Sequence, residues 1–127
     1  MNPDMKAESP KLLGPFRFKT DIIDRFVKHS AGVYLLARSD MPADSALFIG
    51  RSRENLRHTL HSHLPENEAY RELKRKNPDR FYFLHLGPDR TLYQYECYIY
   101  HRYEPELNKY HPAPDAHSWS CPVCETK

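Results

Sequence analysis

Residues 32–50 read GVYLLARSDMPADSALFIG, and this stretch determines the predicted fold. GVYLLAR at 32–38 is apolar at nearly every position, and ALFIG at 46–50 is a second short apolar run. Short apolar runs bounded by glycine and turn-forming residues are typical of buried strands. The connection at 39–44 carries two aspartates and a proline, so it is a loop. Two strands joined by about six residues predict an antiparallel hairpin.

Helices and a third strand are predicted around this hairpin. Upstream, Thr20 is a candidate cap for a helix whose apolar positions recur at helical spacing. Downstream, Ser52 is a candidate cap for a second helix, and further helices are predicted over 66–76 and 91–103. RFYFLHL at 80–86 is rich in aromatic residues and predicts a strand. The pattern indicates an α+β fold in which a small three-stranded antiparallel sheet is flanked by helices.

The length of 127 residues is that of one domain, which we divide into four parts. Residues 1–10 are polar and are predicted to be disordered. Residues 11–30 form an N-terminal extension. It consists of an extended or turn segment at 12–18 followed by a helix. Residues 31–110 form the main domain, and residues 111–127 form an irregular tail with histidine and cysteine.

Composition excludes several classes of protein. A P-loop or a dinucleotide-binding fingerprint needs two or three glycines within about eight residues, and no window of this sequence has them. The net charge of +2 is only mildly basic. The N-terminus has no apolar run of signal-peptide length, and no stretch approaches the ~18 apolar residues of a membrane span. We therefore expect a cytoplasmic protein with reduced thiols and no membrane partner.

Glu96 occupies an unusual position in the last predicted helix. It lies four residues after Leu92 and three before Ile99, which places it on the apolar stripe or at its edge. One interpretation is a partly exposed glutamate at the margin of the stripe. The other is a ligand for a hard cation such as Mg²⁺, which binds one or two carboxylates with water and phosphate oxygens.

Gly32-Val33-Tyr34 and Phe48-Ile49-Gly50 resemble the paired tripeptides of the GIY-YIG nuclease superfamily. The resemblance covers about residues 31–110, on the strands and helices where the family has its motifs. Further matches follow in order along the chain: Asn55-Leu56 at a helix start, His63, Glu96, Pro105 and Asn108. The twelve-residue separation of Glu96 and Asn108 resembles that of the excision-repair branch of the superfamily.

The resemblance implies a DNA endonuclease that uses Mg²⁺ or Mn²⁺ on Glu96 to hydrolyse phosphodiester bonds, in repair or processing. Tyr34 and His63 would organise or deprotonate the attacking water, and Asn108 would complete the site. An alternative is a catalytically lapsed domain of this fold that binds nucleic acid or a protein.

Two departures from the family pattern bear on catalysis. Phe48 stands where the family usually has tyrosine, so a hydroxyl is lost. The family arginine falls at Thr59, and Arg57 is roughly 200° away around the helix. We expect Arg51 or Arg53, in the loop before the helix, to reach the same pocket and offset the developing charge.

A run of basic residues follows the tripeptides. Such a run suits contacts with DNA phosphates, and the alternative is a solvated helix face. Its members are Arg71, Lys74, Arg75, Lys76 and Arg80.

The tail contains Cys121-Pro-Val-Cys124, which supplies half of a tetrahedral zinc site. His111 and His117 are the nearest histidines and are the predicted partners. Cys97 is a further candidate, but its place on a helix favours a small buried residue. The alternative to structural zinc is a pair of free or redox-active thiols.

Overall fold

The computed structural model describes residues 11–124, and within them four strands form one antiparallel sheet. The strands are β1 (Leu13–Arg17), β2 (Gly32–Ala37), β3 (Phe48–Ser52) and β4 (Arg80–His85), in the order β1-β4-β2-β3. The helices are α1 (Thr20–Phe26), α2 (Leu56–Ser62), α3 (Arg71–Lys76) and α4 (Asp89–Tyr103). The α+β class is confirmed, and the prediction of three strands is corrected to four. The disorder predicted for 1–10 lies outside the described residues.

The predicted hairpin is β2 and β3, with Tyr34 opposite Gly50 and Leu36 opposite Phe48. β2 is central and β3 lies at an edge of the sheet. Every residue of β2 is buried, because one face of the sheet is covered by α1–α3 and the other by α4. Tyr34 and Leu36 face the first layer, and Val33 and Leu35 face the second, as alternation along a strand requires.

The two cores are built largely from aliphatic and phenylalanine side chains. Leu56 and Leu60 of α2 are fully buried against one face, and Leu92 and Ile99 of α4 against the other. Complete burial of such a side chain contributes about 1.5–3 kcal/mol. The sheet is therefore held from both sides, which fixes the position of the edge strand β3.

The helix boundaries differ from the predicted ones at the caps. α1 begins at Thr20 with Lys19 as its N-cap, and the N-cap of α2 is Asn55, whose side chain accepts a hydrogen bond from His58 N at 3.1 Å. Ser52 lies in β3 and accepts from Asn55 N at 3.2 Å.

The helix predicted over 66–76 is reduced to α3, because the chain turns before it. The carboxylate of Glu68 in this turn accepts a hydrogen bond from Tyr70 N at 3.0 Å. Within residues 11–124, no helix has the length and apolar character of a membrane span.

Candidate active site

The side chain of Tyr34 passes over the edge strand at Gly50. A Cβ atom on Gly50 would lie 2.7 Å from Cζ of Tyr34, so only glycine leaves room for the ring. The ring is buried, and Tyr34 and Gly50 both line a cleft beside β3. The glycine of the second tripeptide thus lets the tyrosine of the first tripeptide reach the cleft.

Tyr34 is the first member of a hydrogen-bonded Tyr–His–Glu triad. Its hydroxyl lies 2.8 Å from Nε2 of His63, and Nδ1 of His63 lies 2.7 Å from Oε1 of Glu68. The Glu68 side chain is only 5% exposed. Because a carboxylate can only accept, we assign the imidazole proton to Nδ1, and Nε2 then accepts from the Tyr34 hydroxyl. Glu68 was not predicted as a site residue.

The electrostatic surroundings keep Tyr34 protonated. Burial raises the pKa of Tyr34 far above its usual value, and the negative charges of Glu96 and Glu68 raise it further. Tyr34 is therefore a neutral phenol that donates to His63 while its oxygen lone pairs can accept.

Glu96 of α4 is buried, with 8% of its surface exposed, and it forms an ion pair with Arg51 of β3. Nη1 of Arg51 bonds Oε1 of Glu96, while Nη2 donates to Ala113 O at 2.7 Å and lies 3.3 Å from Oδ1 of Asp115. The structure thus places Glu96 in the interior rather than at an exposed margin. A buried carboxylate of this kind requires a cationic partner.

The pKa values in this ion pair reflect competing effects. Burial raises the pKa of Glu96 above its usual value, although the Arg51 guanidinium acts to lower it. Burial alone would lower the pKa of Arg51, but Glu96 and then Asp115 raise it above its usual value. Arg51 therefore stays charged, and Glu96 holds a proton more readily than an exposed glutamate.

Tyr34, the first member of the triad, and both partners of the ion pair line a single cleft of about 640 Å³. Arg53 also lines it, but its side chain is 58% exposed and lies 3.3 Å from Asp89 and 3.8 Å from Asp115. Arg51 is thus the arginine that reaches the carboxylate, and Arg53 is at the rim. Other lining residues are Phe48, Thr59 and Asn108.

Phe48 packs beside the triad. Its ring centroid lies 5.4 Å from that of His63, 6.4 Å from that of Tyr34 and 6.1 Å from that of Tyr70. The ring holds the imidazole in place, and it offers the cleft no hydroxyl.

Asn108 clamps the outer edge of β3. Its Nδ2 donates to Ile49 O and its Oδ1 accepts from Ile49 N, both at 2.9 Å. A neighbouring strand would otherwise bond these two backbone groups of the edge strand. Asn108 therefore helps to position β3, on which Arg51 lies.

Helix α2 places the family arginine position in the cleft. Thr59 lines the cleft, and its hydroxyl donates to Asn55 O at 3.2 Å. Arg57 is on another side of the helix, where Nε donates to Val27 O at 2.6 Å. Arg57 is therefore no substitute for the missing arginine.

The structure places the residues of the predicted basic run in different environments. Lys76 pairs with Glu106 at 2.9 Å, and Arg80 lies in β4, where Nη1 donates to Asp79 O at 2.8 Å. Arg71, Lys74 and Arg75 are exposed on α3. The surface offered to an anionic partner is accordingly smaller than the sequence suggests.

The tail contains a second cluster of titratable residues, at the end of α4. The ligand atoms of His101, His111, Cys121 and Cys124 all lie within 4.8 Å of one another. His117, the predicted partner, is exposed and is not in this group; His101 takes its place. Cys97 is buried against Tyr93, and burial raises the pKa of its thiol, as expected for a packed residue.

Comparison with known proteins points to one fold. No protein-family model matches the chain, and no curated protein does. Solved structures of the GIY-YIG N-terminal endonuclease domain of UvrC from Thermotoga maritima do match. The form bound to magnesium is 20% identical over 68% of this chain and 94% of that chain, with a TM-score of 0.55. Two point mutants bound to the divalent cation have identities of 21% and 16% and TM-scores of 0.55 and 0.54. They cover 68% and 69% of this chain, and 94% and 96% of theirs.

These matches cover about two thirds of this chain at low identity. The chain has the GIY-YIG endonuclease fold, in a divergent form.

Proposed function

We propose that the protein is a metal-dependent endonuclease that hydrolyses phosphodiester bonds in DNA. The observation that carries the proposal is one cleft lined by a buried carboxylate, an arginine and Tyr34, whose hydroxyl is hydrogen-bonded to His63 and through it to Glu68. The similar UvrC domain is an endonuclease bound to a catalytic divalent cation. A carboxylate, a cation and a proton acceptor are the groups that phosphodiester hydrolysis requires.

Glu96 fits Mg²⁺ or Mn²⁺ in the chemistry of its donor set. The hydrogen bond from Arg51 is accepted by Oε1, one of the two carboxylate oxygens of Glu96. Mg²⁺ binds through one or two carboxylates while keeping water and phosphate oxygens as its other ligands, and Asp115 provides a second carboxylate nearby. A divalent ion held there would polarise the scissile phosphate and stabilise the leaving oxygen.

The triad is arranged to remove a proton from water. As a water molecule at the Tyr34 oxygen attacks phosphorus, its proton passes to that oxygen, and the Tyr34 proton passes to Nε2 of His63. The imidazolium that forms keeps its Nδ1–H bond to the Glu68 carboxylate, which stabilises the positive charge. Tyr34 thus ends the step as a neutral phenol.

Arg51 supplies a fixed positive charge at the cleft. Its guanidinium is held by Glu96, Asp115 and the carbonyl of Ala113, so it needs no reorganisation when negative charge develops on the phosphate. Arg53 at the rim would contact the flanking phosphates. These two residues take over the role that the family assigns to an arginine at the position of Thr59.

One observation favours the alternative of a catalytically lapsed binding domain. Arg51 already neutralises Glu96, and a divalent cation would compete with it for the same carboxylate. Phe48 and Thr59 also leave the cleft without two polar groups of the family pattern. In this case the cleft would bind a phosphate backbone or an acidic protein segment without cleavage.

The test is a nuclease assay. Supercoiled, branched and single-stranded DNA are incubated with the protein and with Mg²⁺ or Mn²⁺, beside the Glu96→Ala variant. We expect cleavage by the wild type alone. Equal, background cleavage by both proteins would contradict the nuclease proposal, and retained DNA binding in that case would identify the lapsed domain.

For DNA affinity, we propose that Arg71, Lys74 and Arg75 contact phosphates. The Lys74→Ala/Arg75→Ala variant should bind DNA more weakly and with a flatter salt dependence. Lys76→Ala is the control, because Lys76 is already paired with Glu106. Unchanged binding by the double variant would remove this surface from the proposal.

The location that we propose for this activity is the cytoplasm. None of the cysteines at 97, 121 and 124 is in a disulfide, which accords with a reducing compartment.

A further inference from the structure

We propose that His101, His111, Cys121 and Cys124 bind one structural zinc ion, and that this ion holds the segment 112–120 against Arg51 at the cleft. The site is separate from Glu96 and its expected Mg²⁺. It joins the last turn of α4 to the irregular tail.

Three distances within the cluster are close to those of a tetrahedral zinc site. Nε2 of His101 lies 3.2 Å from Nε2 of His111, and Sγ of Cys124 lies 3.4 Å and 3.7 Å from these two atoms. Zinc binds histidine nitrogen at about 2.0–2.1 Å and cysteine sulfur at about 2.3 Å, so the edges of its tetrahedron are about 3.3–3.8 Å. The two imidazole nitrogens and Sγ of Cys124 are therefore spaced as zinc ligands are, and Sγ of Cys121 completes a group whose ligand atoms all lie within 4.8 Å of one another.

Hydrogen bonds with backbone groups help to fix the ligand atoms. Nδ1 of His111 lies 2.8 Å from Pro112 O, so it carries the proton and leaves Nε2 to face the cluster. This is the usual orientation of a metal-bound histidine. The backbone N–H of Cys124 donates to Sγ of Cys121 at 3.5 Å, which helps to hold this sulfur atom in position.

The donor set points to zinc in a structural role. Two cysteines and two histidines are typical of closed tetrahedral zinc sites, whereas Mg²⁺ prefers oxygen ligands. Four protein ligands leave no open position for water or substrate. Binding converts two thiols to thiolates and releases two protons, so the bound ion and its ligands have no net charge.

The proposed ligands flank the part of the tail that contacts Arg51 at the cleft. Ala113 and Asp115, which contact Arg51, lie between the ligands His111 and Cys121. An aromatic contact also supports this segment: the ring of Trp119 stacks on that of Tyr93, with centroids 6.3 Å apart. The zinc ion would close the loop at both ends and so hold Arg51 in the ion pair with Glu96.

The first experiment measures metal in tag-free protein. Purified without chelators, the wild type should contain about one zinc per chain by elemental analysis and native mass spectrometry. Exchange into Co²⁺ should give the visible absorption of a tetrahedral site and a thiolate-to-cobalt charge-transfer band. His101→Ala should lose both signals, and His117→Ala, the matched control, should keep them.

Two results would overturn the site. One is wild-type protein without zinc that also fails to bind Zn²⁺ or Co²⁺ when reduced. The other is metal binding that survives His101→Ala but is lost in His117→Ala. Because metal content is measured without DNA, neither result depends on whether the protein is a nuclease.

The second experiment tests the connection to Arg51 by hydrogen exchange with and without zinc. We expect zinc removal to increase exchange in 112–120 while β2 and β4 remain protected, and to lower Tm by roughly 10 °C. Unchanged exchange in 112–120 of the stripped protein would contradict the proposed effect on the cleft. His117→Ala should behave as the wild type does.

Discussion

The cleft has two sides, separated by the edge strand β3. On one side, Tyr34, His63 and Glu68 form a triad packed against the core beneath α2 and α3. On the other side, Arg51 and Glu96 form an ion pair against α4 and the tail. The triad consists of groups that exchange protons along hydrogen bonds, whereas the ion pair consists of two fixed charges.

The difference shows which parts of the site have been changed in this chain. The triad keeps the tyrosine and histidine that the family resemblance implies and adds a buried carboxylate. On the charged side, the arginine of the proposed site is Arg51 of β3 rather than a residue of α2, and it contacts Glu96 directly. Activity therefore depends on whether Arg51 assists Glu96 or only neutralises it, and variants on each side separate these roles.

After the loss of cleavage expected for Glu96→Ala, the largest effect is expected from Tyr34→Phe. Removal of the hydroxyl breaks the path from water to His63 and should lower the cleavage rate by about 10²–10³-fold. The free energy of unfolding should fall by only about 1 kcal/mol, since a single hydrogen bond is lost. Single-turnover cleavage measures the first quantity and urea unfolding the second.

A second tyrosine provides the control. Tyr70→Phe removes a hydroxyl that donates to Leu107 O at 2.9 Å, outside the triad, and should leave the cleavage rate near that of the wild type. Equal rates for Tyr34→Phe and the wild type would exclude the triad from catalysis.

Arg51→Gln is expected to lower the cleavage rate by about 10²-fold, a smaller effect than that of Tyr34→Phe. The variant should also change the pH profile, because Arg51 acts to lower the raised pKa of Glu96. Without Arg51 the pKa of Glu96 rises further, so Glu96 is protonated at a higher pH. The acid limb of the cleavage profile should therefore move to higher pH.

The matched control for Arg51 is Arg53→Gln, because Arg53 is mostly exposed and its loss should change the rate less. A faster Arg51→Gln enzyme would show that Arg51 blocks Glu96. That result would favour the interpretation that the native domain is lapsed.

Glu68→Gln is expected to lower the rate by about 10-fold, less than either change above. The imidazole of His63 keeps its contact with Tyr34 and its packing on Phe48, but its positive form loses a charged hydrogen-bond partner. Cleavage measured against pH checks this. Glu66→Gln is the control, because Glu66 is an exposed residue of the same turn. Equal losses of rate in both variants would contradict a role for Glu68 in the triad.

The hairpin and the place of Tyr34 in the site could be predicted, because they depend on contacts between segments that are close in sequence. The tripeptides at 32–34 and 48–50 lie on adjacent strands, so pairing brings Tyr34 to Gly50 without reference to the rest of the chain. Strand β1 was missed since Gly14 and Pro15 interrupt its pattern, although an edge strand tolerates proline.

The unpredicted site residues depend on distant parts of the chain. Glu68 lies in a turn, where a single glutamate gives no periodic signal, and only the path from α2 to α3 brings it to His63. His101 meets Cys121 because the tail folds back on α4. His117 was the nearer histidine in sequence, but proximity in sequence gives no contact in an irregular segment.

The smallest effect is expected from Phe48→Tyr, which restores the hydroxyl of the family pattern. The ring of Phe48 is half-buried and lines the cleft beside His63, so the new hydroxyl can reach water or a phosphate oxygen without displacing the core. A gain of about two- to fivefold in cleavage rate should accompany a change in unfolding free energy below about 1 kcal/mol. Phe48→Leu, which alters packing and adds no hydroxyl, should not be faster than the wild type. A Phe48→Tyr enzyme no faster than Phe48→Leu would mean that the triad alone activates the water.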